Sequence, residues 1–232
     1  NQSTPLASVD QWQWSFGDGG TSVLANPKHL YNTADTFSVT LIVQSGSICT
    51  SLPVTQQVIV NPLPVAAFTV LNTSRCQGNK INFSDNSLTP AGTNITEWHW
   101  DFGDGSTDIV KNPVHSFVTA GTYNVTLWVK NNKGCSSSIT TIPVTIHPLP
   151  NVNFTTAFFC NRPDSVVFTS TGNVPLGFDT SWNWSFGDGT IGTGTPVKHI
   201  YTTFGVNTVG LTVSSNNGCI DSLKKQITIV NN

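Results

Sequence analysis

Three Gly-Asp-Gly turns, three regularly spaced histidines and five cysteines are the side chains with which this sequence could do chemistry. His29, His115 and His199 lie in Pro27-Lys28-His29, Pro113-Val114-His115 and Pro196-Val197-Lys198-His199. A metal site needs several such ligands converging on one ion, and three histidines in separate copies of one unit cannot converge. A structural histidine that holds its loop by hydrogen bonds is the preferred reading. Asp18, Asp104 and Asp188 sit in the Gly-Asp-Gly turns, where a short carboxylate bonds its own backbone. Calcium takes several oxygen ligands. Only the second copy could supply them, as Asp101, Asp104 and Asp108 in one loop, whereas the other copies have a single Asp there. No metal is therefore assigned, and calcium at those three carboxylates is the only cofactor in view. The sequence has no His-Glu-x-x-His, no Gly-x-Ser-x-Gly, no phosphate-cradling glycine loop and no repeated carboxylate pair, so it reads as non-catalytic.

The cysteines carry a second pattern. Cys49, Cys135 and Cys219 are 86 and 84 positions apart, and Cys76 and Cys160 are 84 apart. The pairs Cys76–Cys135 and Cys160–Cys219 thus span 59 positions each, which predicts one disulfide per repeat. On the chain-entropy model each would contribute ~4 kcal/mol. Cys49 would remain unpaired or pair outside this sequence.

The elements that must position these groups recur with the same period. Trp12-Gln13-Trp14-Ser15-Phe16-Gly17-Asp18-Gly19 returns as Trp98-His99-Trp100-Asp101-Phe102-Gly103-Asp104-Gly105 and as Trp182-Asn183-Trp184-Ser185-Phe186-Gly187-Asp188-Gly189. The alternation of apolar and polar residues marks a half-buried strand with its aromatics in the core, and the Asp-Gly after it marks a hairpin. A second alternating run is Phe37, Val39, Leu41, Val43, repeated as Tyr123, Val125, Leu127, Val129 and as Asn207, Val209, Leu211, Val213. Shorter runs at 66–70, 80–83, 142–146 and 166–168 complete about seven strands in ~85 residues, the pattern of an antiparallel sandwich. Nothing reads as a helix. The repeats divide as 1–61, 62–147 and 148–232, joined by Asn61-Pro62-Leu63-Pro64 and His147-Pro148-Leu149-Pro150, whose prolines favour extended, semi-rigid connections. Asn1 aligns with Ser87, so the first repeat lacks the counterpart of 64–86. The expectation is a piece of a longer tandem array, its first domain begun in the middle.

All three units resemble polycystic kidney disease (PKD) domains, through Trp-x-Trp-[Ser/Asp]-Phe-Gly-Asp-Gly, Asn26-Pro27 and Asn112-Pro113 with His29 and His115, and Ala120-Gly121-Thr122-Tyr123-Asn124-Val125-Thr126-Leu127. Repeat 1 departs with Asp35 in place of Gly121, and repeat 3 with Thr195-Pro196 and Asn207. The resemblance implies an all-β chain of three tandem immunoglobulin-like antiparallel β-sandwiches, the first without its N-terminal strands. It further implies extracellular or cell-surface spacer, adhesion or interaction modules, as in large surface or secreted proteins of Bacteroidetes-type bacteria. The alternatives are an accessory binding module of a secreted polysaccharide- or protein-degrading enzyme, or a subunit of a filament that self-associates through its exposed half-domain.

Partners are bounded by charge. Only 9% of residues are charged and the formal net charge is -2, without a basic cluster, which argues against nucleic acid and anionic membrane surfaces. No apolar run is long enough for a membrane span. The partners expected are neighbouring repeats, a further copy of the chain, or a surface glycan or protein. Trp128 is out of phase with Val125, Leu127 and Val129 and is the candidate ligand contact, although cover by a neighbouring loop is favoured. Asp164-Ser165-Val166 and Asp221-Ser222-Leu223 resemble a Bacteroidetes O-glycan acceptor motif, making Ser165 and Ser222 candidate acceptors.

Overall fold

The computed structural model describes residues 9–46, 49–159 and 162–230. Every regular element among them is a β-strand. Repeat 1 contains β1 (Gln11–Ser15), β2 (Thr21–Ser22), β3 (Thr36–Ser45), β4 (Cys49–Thr50) and β5 (Val54–Ile59). Repeat 2 contains β6 (Phe68–Val70), β7 (Ser74–Cys76), β8 (Ile81–Asp85), β9 (Ile95–Asp101), β10 (Thr107–Asp108), β11 (Val114–His115), β12 (Gly121–Asn131) and β13 (Thr140–His147). Repeat 3 contains β14 (Phe154–Phe159), β15 (Arg162–Ser170), β16 (Asp179–Ser185), β17 (Ile191–Thr193), β18 (Val197–Ile200), β19 (Gly205–Ser215) and β20 (Ile220–Ile229). By compactness the chain divides into two units: residues up to 66 with 87–98 and 128–138, and residues 67–86 with 99–127 and from 139 onward.

Alternation builds one sheet of each repeat around the signature strand. In repeat 2 the order is β10-β9-β12-β13-β7, and in repeat 3 it is β17-β16-β19-β20. The second sheet is β11-β8-β6 in repeat 2 and β14-β15-β18 in repeat 3. The inward residues of the central strands meet it: Val125, Leu127 and Val129 are 0% exposed, and Trp100 and Trp184 are each 2% exposed. Phe68 meets the Trp100 ring edge-on at 5.0 Å, and Phe154 meets Trp184 in the same way at 5.1 Å. Burying aromatics of this size supplies the largest apolar contribution to such a core. The first tryptophan of each signature, Trp12, Trp98 or Trp182, is only half-buried.

Among the described residues, repeat 1 shows the first sheet alone. Its five strands run β2-β1-β3-β4 with β5 also on β3, and no described strand forms a second layer. The consequence is visible in exposure. Trp14, Val39, Leu41 and Val43, which correspond to the buried Trp100, Val125, Leu127 and Val129, are all half-buried.

The disulfide framework differs from the one expected. Cys76 is bonded to Cys219, and Cys135 is a free thiol. β7 pairs in parallel with β13, in a register that sets Cys76 beside His147, where β13 leaves for the next repeat. Cys135 closes the β12–β13 turn at the opposite end of β13, bonding through its carbonyl to the Asn131 N–H. The eight residues of β13 extend ~26 Å between those ends, whereas bonded cysteines need Cα atoms ~4.4–6.8 Å apart. Cys76 therefore meets the same turn one repeat later. The expected Cys160–Cys219 pair is excluded because Cys219 is already bonded; Cys160 itself lies outside the described residues. Cys49 is free and exposed. Closing a loop with a sequence separation of 143 stabilises by about 5 kcal/mol on the chain-entropy model. Proteolysis of the unreduced protein should release one cross-linked peptide pair containing Cys76 and Cys219, identified by mass spectrometry. A Cys76–Cys135 pair in its place would contradict this topology.

Candidate functional site

Among the described residues, one side-chain constellation recurs in all three repeats and joins the signature turn to the Pro-x-His segment. After the Phe of the signature strand, Gly17, Gly103 and Gly187 adopt φ of 84°, 79° and 90°. A Cβ there would sit 2.7–3.0 Å from backbone atoms of Ser38, Asn124 or Thr208, so glycine alone allows both the left-handed conformation and the close approach of the turn to the adjacent strand. The aspartate that follows uses one carboxylate oxygen to cap its own turn. Asp18 accepts from Gly20 N–H at 2.9 Å, Asp104 from Ser106 N–H at 2.9 Å and Asp188 from Thr190 N–H at 3.0 Å.

The other oxygen faces the histidine eleven residues on. His29, His115 and His199 place Nε2 at 2.7, 2.8 and 2.8 Å from Asp18, Asp104 and Asp188 Oδ2. An ionised carboxylate only accepts, so Nε2 carries the proton and donates. Each imidazole is also stacked on the signature phenylalanine, with centroids 4.0–4.1 Å apart against Phe16, Phe102 and Phe186. The aromatic two residues later, Tyr31, Phe117 or Tyr201, meets the imidazole edge-on. Where that aromatic is tyrosine its hydroxyl donates to the signature phenylalanine carbonyl: Tyr31 to Phe16 at 3.0 Å and Tyr201 to Phe186 at 2.9 Å. Trp14, Trp100 and Trp184 complete the unit by donating from Nε1 to the carbonyls of Leu24, Val110 and Gly194 at 2.8–3.0 Å. In repeats 2 and 3 this arrangement crosses the sandwich, because the turn belongs to the first sheet while β11 and β18 carry the histidine in the second.

Charge follows this geometry. The hydrogen bond from His29 holds the Asp18 carboxyl below its ordinary 3.8. Burial pushes Asp104 and Asp188 upward, but hydrogen bonds from His115 and Ser106, and from Thr190 and His199, outweigh it; Asp188 is brought down to about 2. Desolvation raises Tyr31 and Tyr201, with the neighbouring aspartate adding to it. The site is thus an internal tie in which each carboxylate is engaged by its own turn on one oxygen and by the histidine Nε2 on the other. The constant eleven-residue spacing from aspartate to histidine, and the aromatic two residues beyond, were the sequence signals for it.

The other candidate residues are not gathered into a site. Asp101 Oδ1 accepts from Gly103 N–H at 2.8 Å, and Asp108 Oδ1 accepts from Ile109 and Val110 N–H. With Asp104 held by His115 and Ser106, the three carboxylates turn onto their own loops instead of toward a shared calcium ion. Among the described residues no group of three or more His, Cys, Asp or Glu side chains could hold a metal ion. Trp128 lies on β12 out of phase with the core and is half-buried. Ser165 is 1% exposed, so burial overturns it as a glycan acceptor. Ser222 is exposed on β20, opposite Thr212.

The fold and these ties define tandem immunoglobulin-like modules, sandwiches in repeats 2 and 3 and a single described sheet in repeat 1, each fastened by the same aspartate–histidine contact. The PKD domain model matches residues 1–60, 61–146 and 148–230, and the chain belongs to that family. The pre-pro-metalloprotease PrtV of Vibrio cholerae is 30% identical over 165 residues, 70% of this chain and 17% of that protein. A microbial collagenase of Vibrio alginolyticus is 34% identical over 85 residues, 37% of this chain and 10% of that protein. The crystal structure of the PKD1 domain from the Vibrio cholerae metalloprotease PrtV is 34% identical, covering 36% of this chain and 99% of that one, with a TM-score of 0.31. The chain spans less than a fifth of the length of these curated relatives.

Because the folded pKa of Asp188 lies below its ordinary value, its contribution to stability is complete above pH 3.8 and is lost as pH falls toward 2. In the Asp188→Asn variant the melting temperature should fall less steeply across that interval than in the parent; parallel curves would remove the tie as the cause. The Tyr201→Phe variant, which reproduces the Phe117 arrangement, should lose about 1 kcal/mol, read by urea unfolding.

Proposed function

We propose that this array is a non-catalytic spacer or interaction part of a larger extracellular protein, composed of repeats 1–61, 62–147 and 148–232. The observation that carries the reading is that, among the described residues, the side-chain constellation common to all three repeats is an internal one, with each histidine Nε2 bonded to its aspartate. A group so engaged positions backbone and offers nothing to a substrate. The Cys76–Cys219 bond supports an oxidising, extracellular or cell-surface setting. Among the described residues no helix is long and apolar enough to cross a membrane. The prolines of 61–64 and 147–150 favour a fixed spacing between modules.

A second reading follows from the relatives, a metalloprotease and a collagenase: an accessory module that engages the protein substrate of an attached enzyme. Half-buried Trp128 would be its aromatic contact. Co-sedimentation of the chain with insoluble collagen, and separately with insoluble polysaccharide, distinguishes them. A spacer should remain in the supernatant at all concentrations. Saturable retention abolished by Trp128→Ala would replace the spacer reading with the accessory one.

A further inference from the structure

The solvent face of the first sheet of repeat 3 departs from those of the other repeats at the middle of its central strand. Gly210 lies on β19 between Val209 and Leu211, both 0% exposed, so its own outward side belongs to the solvent face. It stands opposite Ser185 of β16 and Lys224 of β20. The corresponding residues of repeats 1 and 2 are Thr40 and Thr126, which stand opposite Thr55 and Thr141. In repeat 1 the two threonines are bonded, Oγ1 to Oγ1, at 2.9 Å. A cross-strand threonine pair supports a sheet, whereas glycine within a strand adds unfolded-state entropy and packs nothing. The backbone does not require glycine here, because the φ of Gly210 is not positive and a Cβ would meet nothing closer than Lys224 Cγ at 3.6 Å, an ordinary contact. Repeat 3 therefore gives up local stability at this point without an internal gain, which is the mark of a functional position.

What the glycine leaves is space. A shallow groove of about 210 Å³ crosses β16, β19 and β20. Two cross-strand rows line it, Ser185–Gly210–Lys224 and Asn183–Thr212–Ser222. The alternation that buries Trp184 and Leu211 turns these residues outward. The stem of Lys224 lies across the place of the absent side chain, its Cγ and Cε 3.6 and 4.0 Å from where a Gly210 Cβ would be. The ammonium is thereby carried toward the central strand, and Lys224 is the one charged residue lining the groove. Asn183, Ser185, Thr212 and Ser222 add an amide and three hydroxyls, groups that both donate and accept. In repeat 2 the same face carries Trp128 at the place of Thr212 and an ion pair between Lys130 and Glu97 at 3.1 Å.

We propose that this groove of repeat 3 binds a sugar unit of a uronic-acid polysaccharide, its carboxylate on Lys224 and its hydroxyls on the row of Asn183, Thr212 and Ser222. Charge complementarity calls for an anion, since the lining holds one ammonium and no carboxylate. The amide and hydroxyls match a ligand whose own groups also donate and accept, as the hydroxyls of a sugar do. The bare backbone at Gly210 offers a flat floor to a ring. A simple inorganic anion would leave the amide and hydroxyl row unused, and an apolar side chain would cover that row without pairing it. The inference goes beyond the role proposed above, which assigns repeat 3 no ligand, and it uses neither the aspartate–histidine ties nor Trp128.

The test titrates the isotope-labelled full chain with a galacturonate hexasaccharide at low salt and follows the backbone amide resonances. Saturable shifts should be confined to β16, β19 and β20 and should weaken as salt is raised, because Lys224 is exposed. A glucose hexasaccharide, which lacks the carboxylates, should bind at least ~10-fold more weakly, and Lys224→Gln should weaken galacturonate binding by at least ~10-fold. Gly210→Thr should abolish binding by filling the floor and displacing the Lys224 stem. Its melting temperature should be no lower than the parent's, since threonine is the residue that repeats 1 and 2 carry there, so lost binding is separated from lost fold. Trp128→Ala should bind as the parent does. No saturable shifts, shifts centred elsewhere, equal affinity for the glucose hexasaccharide, or unchanged affinity in the Lys224→Gln or Gly210→Thr variant would overturn the proposal. Equal binding of a hexa-aspartate peptide would make an acidic protein segment the occupant and overturn it equally.

Discussion

A hydrogen bond of 2.7–2.8 Å between an aspartate and a histidine, repeated three times, is the constraint around which each module is arranged. Its strength comes from charge on the acceptor and from limited access to water. The pair could not meet unless the preceding glycine pressed the turn against the neighbouring strand, and the imidazole could not hold its orientation without the phenylalanine stacked on it. In the two-layered repeats the same contact joins the layers. In repeat 1 the same contact lies beside the single sheet that the described strands form.

Much of this was legible in the order of residues. Strand positions, turns and buried aromatics followed from the alternating period, because a pleated strand with one face in a core must place apolar side chains at every second position. What strand alternation cannot express is partnership across layers. Asp104 and His115 are each reasonable turn or loop residues alone, and only their constant separation in three copies marks them as a pair. Ser165 failed as a surface site for a related reason. A three-residue motif says nothing of which strand face it occupies, and this serine is covered in the interior.

The cysteines give the sharper lesson. Equal spacing within two repeats pointed to bonds inside them, and that arithmetic was correct about periodicity while silent about direction. Cys76 and Cys135 stand at opposite ends of the same sheet, because β7 joins β13 in parallel where β13 departs for the next module. In a tandem array a period of one repeat is shared by contacts within a module and by contacts from the foot of one module to the head of the next. Only the sense of a three-residue strand pairing separates the two.

That bond also sets how the chain answers to tension. A pull on its two ends travels along the shortest covalent route, which runs to Cys76, crosses the sulfur bridge and continues from Cys219. Residues 77–218 lie in a side loop that carries no load once the route is taut. At ~3.4 Å per extended residue, about 480 Å of contour is withheld from stretching for as long as the bridge is oxidised. The segment between Cys76 and Cys219 is therefore shielded from extension while residues outside the bridge remain free to yield, so that the distribution of mechanical compliance is governed by the reducing power of the surroundings.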